Sequence, residues 1–333
     1  MRKYWIVLLQ TLLSLIVLVK LASDGALRAE VLQVFSTANP SWLLAGFCTA
    51  LLSEFACAIR WWFLLRALGT PIPFKKVLIF CGAGLFFSLS LPGGAGGDAF
   101  RFLYGIQQYP TRKLRVSLTI FGDRLCGLAA LFFTFSAIWF HPDRSLEAQP
   151  EVQALVLSAQ WVLVSTVLLL FMWWLSTLRF SKKLWLPEFM RRLRKKTDQL
   201  SRIFTGLALR PKWVLAGVLT SLLSLGAHFC TYFCSARAFE VPIKLHQMLN
   251  VMPIVDTFVM LPISFSGLGV REVLFEKLLG GLYGVAPAGA VLTSLGGFVL
   301  QALVAGVGGI FIPFTLPSPA VESSGKLNTH EKG

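Results

Sequence analysis

"SLSLPGGAGGDAFRF", residues 88–102, decides how this chain is read. It closes an apolar run, breaks into Pro92 and four glycines, and then places Asp98 and Arg101. Proline has no N–H to give and stops a helix. Glycine admits positive φ and close backbone approach. A helix-breaking, charged stretch in such apolar company needs a reason, and the flanking sequence supplies one.

The 333 residues are 55% hydrophobic and only 14% charged, with a mean hydropathy of +0.69. Soluble domains carry about a quarter charged residues, so the composition points to an all-α polytopic membrane protein. A formal charge of +15 would suggest nucleic acid in a soluble protein. In a membrane protein it reports cytoplasmic loops, where Lys and Arg are retained. Cys48, Cys57, Cys81, Cys126, Cys230 and Cys234 all lie in apolar stretches without a CxxC pair. Cys230 and Cys234 share a helix face, but no quartet of zinc spacing surrounds them. No metal, cofactor or catalytic residue is expected.

About 20 apolar residues cross a bilayer as a helix. That ruler finds six full spans, near 4–22, 41–60, 116–140, 154–177, 213–235 and 287–313. The first has a basic head like a secretory signal, but its apolar run is long for one and further spans follow, so it reads as uncleaved. Two more apolar stretches, near 77–97 and 249–283, are broken by Pro and Gly. Arg2 and Lys3 precede the first span; Arg60, Arg66, Lys75 and Lys76 follow the second; Arg101, Arg112, Lys113 and Arg115 precede the third. Alternate loops such as "HPDRSLEAQPE" are balanced or acidic. This asymmetry places both termini in the cytoplasm of a cell (inner) membrane protein, provided each broken stretch enters and leaves on one side.

Residues 179–212 carry the heaviest basic cluster. Met190, Leu193, Thr197, Leu200, Ile203, Phe204 and Leu207 recur there at helical spacing, which predicts an interfacial amphipathic helix touching anionic lipid. No base-reading fold accompanies the basic residues, so nucleic acid is not an expected partner. Residues 316–333 read as a disordered cytoplasmic tail. Residues 1–315 read as one membrane domain.

The opening stretch has a companion, "VMLPISFSGLGVREVLF", at 259–275. Leu91-Pro92 matches Leu261-Pro262, Gly96 and Gly97 match Gly267 and Gly269 loosely, and Arg101 corresponds to Arg271. Each half, about 1–140 and 154–315, has two spans, a broken stretch and one more span. Three full spans per half invert the second half relative to the first. Inverted repeats with broken helices are a transporter architecture, and unwound backbone at membrane depth must be buried in protein or face water. Freed N–H groups at the next helix start can bind an anion such as a lipid phosphate.

Asp98, Arg101, Arg271 and Glu272 would each cost several kcal/mol facing lipid. Asp123 and Arg124 sit early in the third span, Glu54 lies in the second, and Asp256 just precedes the second break. Two readings stand: buried ion pairs that lock helices together, or a substrate pathway, since intramembrane charges are functional by default.

With these residues in view, the chain resembles the lysylphosphatidylglycerol synthase transmembrane-region, or flippase-like, family over about residues 1–315. The resemblance rests on "LPGGAGGDAFR" at 91–101, "GDRLCGL" at 122–128 and "LPISFSGLGVRE" at 261–272. Pro92, Gly96, Gly97, Asp98 and Arg101 fill the family's first element. Asp123 and Arg124 fill the second; Gly267, Gly269, Arg271 and Glu272, after Pro262, fill the third. The resemblance implies movement of a phospholipid between leaflets. In full-length synthases a soluble domain attaches lysine to the lipid, and the tail here is too short for that domain. The expectation is therefore a translocase without transferase chemistry, in which arginines hold the lipid phosphate by forked hydrogen bonds.

Two other classes compete. A head-group-modifying enzyme would need a constellation that His141, His228, His246 and His330 do not form, and His228 reads as a packed helix residue. A non-transporting scaffold for envelope lipid or glycan synthesis would make the charges structural. A small-solute transporter could use the same architecture. No GxxxxGK[ST] loop occurs, so this chain is not expected to consume ATP. Head group, direction, energy source and oligomeric state are not legible here.

Overall fold

The computed structural model describes residues 38–90, 95–140, 150–179, 211–261 and 267–315. Among them every regular element is helical. In chain order the longer helices are α1 (Pro40–Ala67), α2 (Phe74–Ser90), α3 (Ala95–Gln108), α4 (Lys113–Phe140), α5 (Pro150–Arg179), α6 (Pro211–Ala238), α7 (Leu245–Val259), α8 (Val270–Phe275) and α9 (Pro287–Gly309). A π-helical turn, Glu276–Gly280, continues α8.

Among the described residues five helices are long and apolar enough to cross a membrane. They fall on α1, α4, α5, α6 and α9, where five of the six full spans are expected. The first expected span, the amphipathic helix of the basic loop, the polar tail, Pro92 and Pro262 lie outside the described residues. The outer surface is the inverse of a soluble protein's. Trp161, Leu169 and Leu44 are 72%, 70% and 65% exposed, while polar side chains such as Ser53, Ser224, Thr231 and Thr293 are buried. Only lipid makes that distribution favourable.

The central pairing is α1 against α6, and it is antiparallel. The Asn39 N–H donates to the Ala238 carbonyl at 2.8 Å, closing one end. Along the seam Thr49 and Thr231 hydroxyls meet at 3.1 Å, and the Ser53 hydroxyl donates to the Ser224 carbonyl at 2.9 Å. Small residues let the helices approach, and hydroxyls bond across the seam because hydrocarbon offers no alternative partner. α9 packs the same way: the Ser235 hydroxyl donates to the Thr293 carbonyl at 2.9 Å. A Cβ on Gly308 would strike the Gly82 backbone of α2.

The two helices of this central pair also end alike. Past α1, Thr70 N–H donates to Leu65 C=O and Gly69 N–H to Arg66 C=O. Past α6, Val241 N–H donates to Ala236 C=O and Glu240 N–H to Arg237 C=O. Both are Schellman caps with positive φ, at Gly69 (73°) and Glu240 (56°). Pro71-Ile72 and Pro242-Ile243 follow them. Each cap leads to a helix shorter than a full span, α2 or α7, then a break, then α3 or α8, then a long helix, α4 or α9. Corresponding elements repeat, and the first of each set run in opposite directions.

α2 and α3 form a hairpin around the opening glycines. Gly97 N–H donates to the Ser88 hydroxyl, which donates on to the Gly84 carbonyl, both at 3.1 Å. Phe87 stacks on Phe100 at 4.9 Å and Phe80 on Tyr104 at 5.2 Å. With 17 and 14 residues, each is about 21–26 Å long, short of the hydrocarbon thickness.

Gly308→Ala should lower the temperature of thermal unfolding, because a methyl must displace backbone, at a cost of about 1–3 kcal/mol. A Cβ on Gly306, on the same helix, meets nothing within 4 Å. Gly306→Ala should leave the unfolding temperature equal or higher. A detergent-solubilised melt of both variants checks this.

Candidate functional site

One carboxylate organises the first charged cluster. Asp123 of α4, only 3% exposed, accepts from Arg60 Nε at 2.5 Å and from Arg60 Nη2 at 3.1 Å. Its Oδ2 also accepts from Arg101 Nη1 at 3.1 Å. The fork between Arg60 and Asp123 is bidentate, the strong and directional form of this pair. Arg60 further donates to the Ser221 hydroxyl at 3.2 Å, which brings in α6. Arg101 lies over Trp61 at 5.7 Å, and Trp61 donates through its indole N–H to Thr119 at 3.0 Å.

Asp98 and Arg124 make the outer layer. Arg124 Nε and Nη2 both approach Asp98 Oδ2 at 2.7 Å. Asp98 also lies 3.9 Å from Arg101, one helical turn on. The Arg124 side chain is 56% exposed and that of Asp98 25%, against 4% for Asp123. The cluster therefore grades from a buried clamp to an accessible rim. Through these contacts Arg60, Arg101 and Arg124 meet Asp98 and Asp123 beside the first turn of α3. Helix starts also favour anions.

The second cluster follows the other break. Glu272 of α8 is fully buried. Its Oε2 accepts from Gly269 N–H at 2.6 Å, and its Oε1 from the Ser294 hydroxyl of α9 at 2.9 Å. Gly267 and Gly269 hold φ of 80° and 85°, which residues with a Cβ rarely adopt. A Cβ on Gly267 would also press on the Arg271 guanidinium. Arg271, 7% exposed, lies over the Tyr232 and Phe298 rings at 5.6 and 5.5 Å. Cations gain from such ring faces when water is excluded.

A third group joins α6, α7 and α9. His228 Nε2 faces Asp256 at 3.4 Å, and its Nδ1 meets Gln301 Nε2 at 2.8 Å. Near the middle of α1, Glu54 lines an otherwise apolar cavity of about 450 Å³ between α1, α2 and α9. Glu54 interacts electrostatically with Arg101, His228, Arg60 and Asp123.

The structure brings Asp98, Arg101, Asp123 and Arg124 together, and buries Gly96 and Gly97 at the hairpin beside them. It groups Gly267, Gly269, Arg271 and Glu272 separately. The hydrogen bonds of the first cluster and those of Glu272 share no residue. Two pairings differ from simple sequence neighbourhood. Asp123 and Arg124 turn to different partners, because consecutive helical positions point about 100° apart. Arg60, expected as a loop-flanking charge, is inside the bundle, because nothing breaks α1 before Gly69. Ser294 and Gln301 carry no sequence signal as site residues. Once the repeat is aligned on Arg101 and Arg271, however, Ser294 falls on Arg124. In each half that position on the long helix holds the acid of the preceding helix's first turn.

The family model described as "Lysylphosphatidylglycerol synthase TM region" matches residues 7–309. The "UPF0104 membrane protein MJ1595" of Methanocaldococcus jannaschii is 27% identical over 113 residues, covering 33% of this chain and 34% of that protein.

Removing Asp123 strands two buried guanidiniums, whereas removing Arg124 strands only a partly exposed Asp98. Asp123→Ala should therefore destabilise by about 3–5 kcal/mol, and Arg124→Ala by about 1 kcal/mol or less. Denaturation of both variants in matched detergent is the comparison to make.

Proposed function

The chain belongs to the lysylphosphatidylglycerol synthase TM region family, and on that premise we propose that it moves a phospholipid, or a related lipid-linked anion, between leaflets of the cell membrane. The observation that carries this reading is the graded cluster at the first break. It combines a helix start, a buried Arg101 and an accessible Arg124. That combination suits a phosphate better than a neutral or cationic solute.

The work divides by position. Arg124 and Asp98 form the rim that a phosphate meets first. A phosphate approaching Arg124 competes with Asp98 for its two N–H donors. Arg101 lies one step further in, held by Asp123, and the fork to Arg60 keeps Asp123 aimed. Across the bundle, Arg271 takes the corresponding place, with Glu272 fixing the first turn of α8. Acyl tails stay in the surrounding lipid; the apolar groove of about 420 Å³ between α4 and α5 is one place for them.

The same proposal takes residues 1–140 and 154–315 as inverted halves whose two breaks are re-entrant hairpins. The antiparallel α1 and α6, with their matching caps, support it. Both termini are then cytoplasmic, the basic loop 179–212 lies on anionic lipid, and Pro92 and Pro262 stop the helices entering each break. No aminoacyl transfer is assigned to this membrane domain. A lysyl-bearing lipid is one candidate among anionic and zwitterionic phospholipids.

The second reading, a scaffold whose charges are helix locks, draws on the saturated bonding of Asp123 and Glu272. Proteoliposomes containing a trace of head-group-labelled fluorescent phosphatidylglycerol separate the two. The wild type should expose inner-leaflet label to a membrane-impermeant quencher. Arg101→Ala and Arg271→Ala should lose most of that movement while inserting at normal yield. Unaltered movement in both variants, or none in the wild type, would favour the scaffold.

A further inference from the structure

The two halves seat their arginines alike. Arg101 lies over the Trp61 ring and Arg271 over the Tyr232 ring, at 5.7 and 5.6 Å. Trp61 and Tyr232 stand equally far before the two Schellman caps, at Gly69 and Glu240. Cys57 and His228, one helical turn earlier, correspond as well. What meets each ring differs. Trp61 gives its N–H to Thr119 at 3.0 Å, and its chain neighbour Arg60 is clamped by Asp123. Tyr232 is fully buried, and its hydroxyl has no hydrogen-bond partner among the described residues. A buried polar atom of this kind calls for a partner from outside the chain.

Four helices bring polar groups to the Tyr232 ring. His228, also on α6, meets it edge-on at 5.3 Å. His228 Nδ1 is 2.8 Å from Gln301 Nε2 of α9, and its Nε2 faces Asp256 of α7 at 3.4 Å. Gln301 stands near the Tyr232 hydroxyl without reaching hydrogen-bonding geometry. Phe298, one turn before Gln301, lies 5.5 Å from the Arg271 guanidinium of α8. The ring itself is held in place: a Cβ on Gly297 would strike it, and Phe275 packs on it at 5.5 Å. The side chains of His228 and Asp256 keep 24% and 17% of their surface accessible, so a ligand can reach this group.

The group both donates and accepts. Asp256 offers carboxylate oxygens, Gln301 an amide with a donor and an acceptor end, Tyr232 a hydroxyl and His228 an imidazole. An ammonium only donates, and it would meet the amide N–H groups and the nearby guanidinium of Arg271 unfavourably. A hydroxyl donates and accepts at once, so neighbouring hydroxyls suit a carboxylate set beside an amide. Arg271, across the Tyr232 ring from none of these by more than one side chain, supplies the cation that a phosphate needs.

We propose that Tyr232, His228, Asp256 and Gln301 read the hydroxyls of a polyol head group, such as glycerol, a cyclitol or a sugar, whose phosphate lies at Arg271. This deepens the translocase reading and rests on it for movement, though not for binding. The first cluster, built of charges, then recognises phosphate, and the second discriminates between head groups.

The test titrates lipids of matched acyl chains into the full chain in detergent and reads apparent affinity from stabilisation against heat. Phosphatidylglycerol and phosphatidylinositol carry head-group hydroxyls; phosphatidylpropanol has the same charge without them. The wild type should bind both polyol lipids about tenfold or more tightly than phosphatidylpropanol or phosphatidylethanolamine, because a site built for a hydroxyl rejects the analogue that lacks it. Tyr232→Phe keeps the ring and removes only the hydroxyl. Its lipid-free melting temperature should equal or exceed that of the wild type, while most of the preference disappears. Asp256→Asn should lose the preference too. Equal binding of phosphatidylglycerol and phosphatidylpropanol, a preference for phosphatidylethanolamine, or a Tyr232→Phe variant with the wild-type preference would overturn the proposal. If the preference holds but labelled lipid does not move in vesicles, the translocase reading falls and the head-group site stands. If lipid moves without the preference, the head-group site falls alone.

Discussion

The bundle depends on one buried carboxylate. Asp123 reaches from α4 to Arg60 of α1 and Arg101 of α3, and Arg60 extends the contact to Ser221 of α6. Taking these ions out of water costs several kcal/mol each, and only close geometry with full hydrogen bonding returns it. The contact therefore specifies where the α2–α3 hairpin sits more than it adds net stability. Arg101 can meet Asp123 only when α3 begins where the glycines end.

That constraint explains the glycine-rich break. Gly84 and Gly97 face each other across the hairpin, and a Cβ on Gly97 would enter both the Ser88 hydroxyl and the Gly84 carbonyl. Close approach sets α3 against α2, and the Ser88 bridge secures the first turn. In the second half the carboxylate is held by neutral donors. Glu272 folds back on Gly269 N–H and reaches Ser294, which leaves Arg271 against two aromatic faces. The halves repeat in backbone and differ in charge, so any lipid passing between them meets two unlike stations.

The class of protein and five of the expected spans were legible in the sequence, because hydrophobic length is a local property. So was the grouping of Asp98, Arg101, Asp123 and Arg124 as candidates, because charge in an apolar segment is conspicuous wherever it lies. Partner choice was not legible. Asp123 beside Arg124 looks like a pair, yet helical rotation sends them to different neighbours. Arg60 looks like a loop marker until α1 is seen to continue to Ala67. Ser294 and Gln301 are ordinary polar residues until antiparallel packing sets them against Glu272 and His228. The sequence by itself determined which residues could not face lipid. Only the tertiary structure decided what each of them faces instead, since that depends on how helices far apart in the chain turn and approach one another.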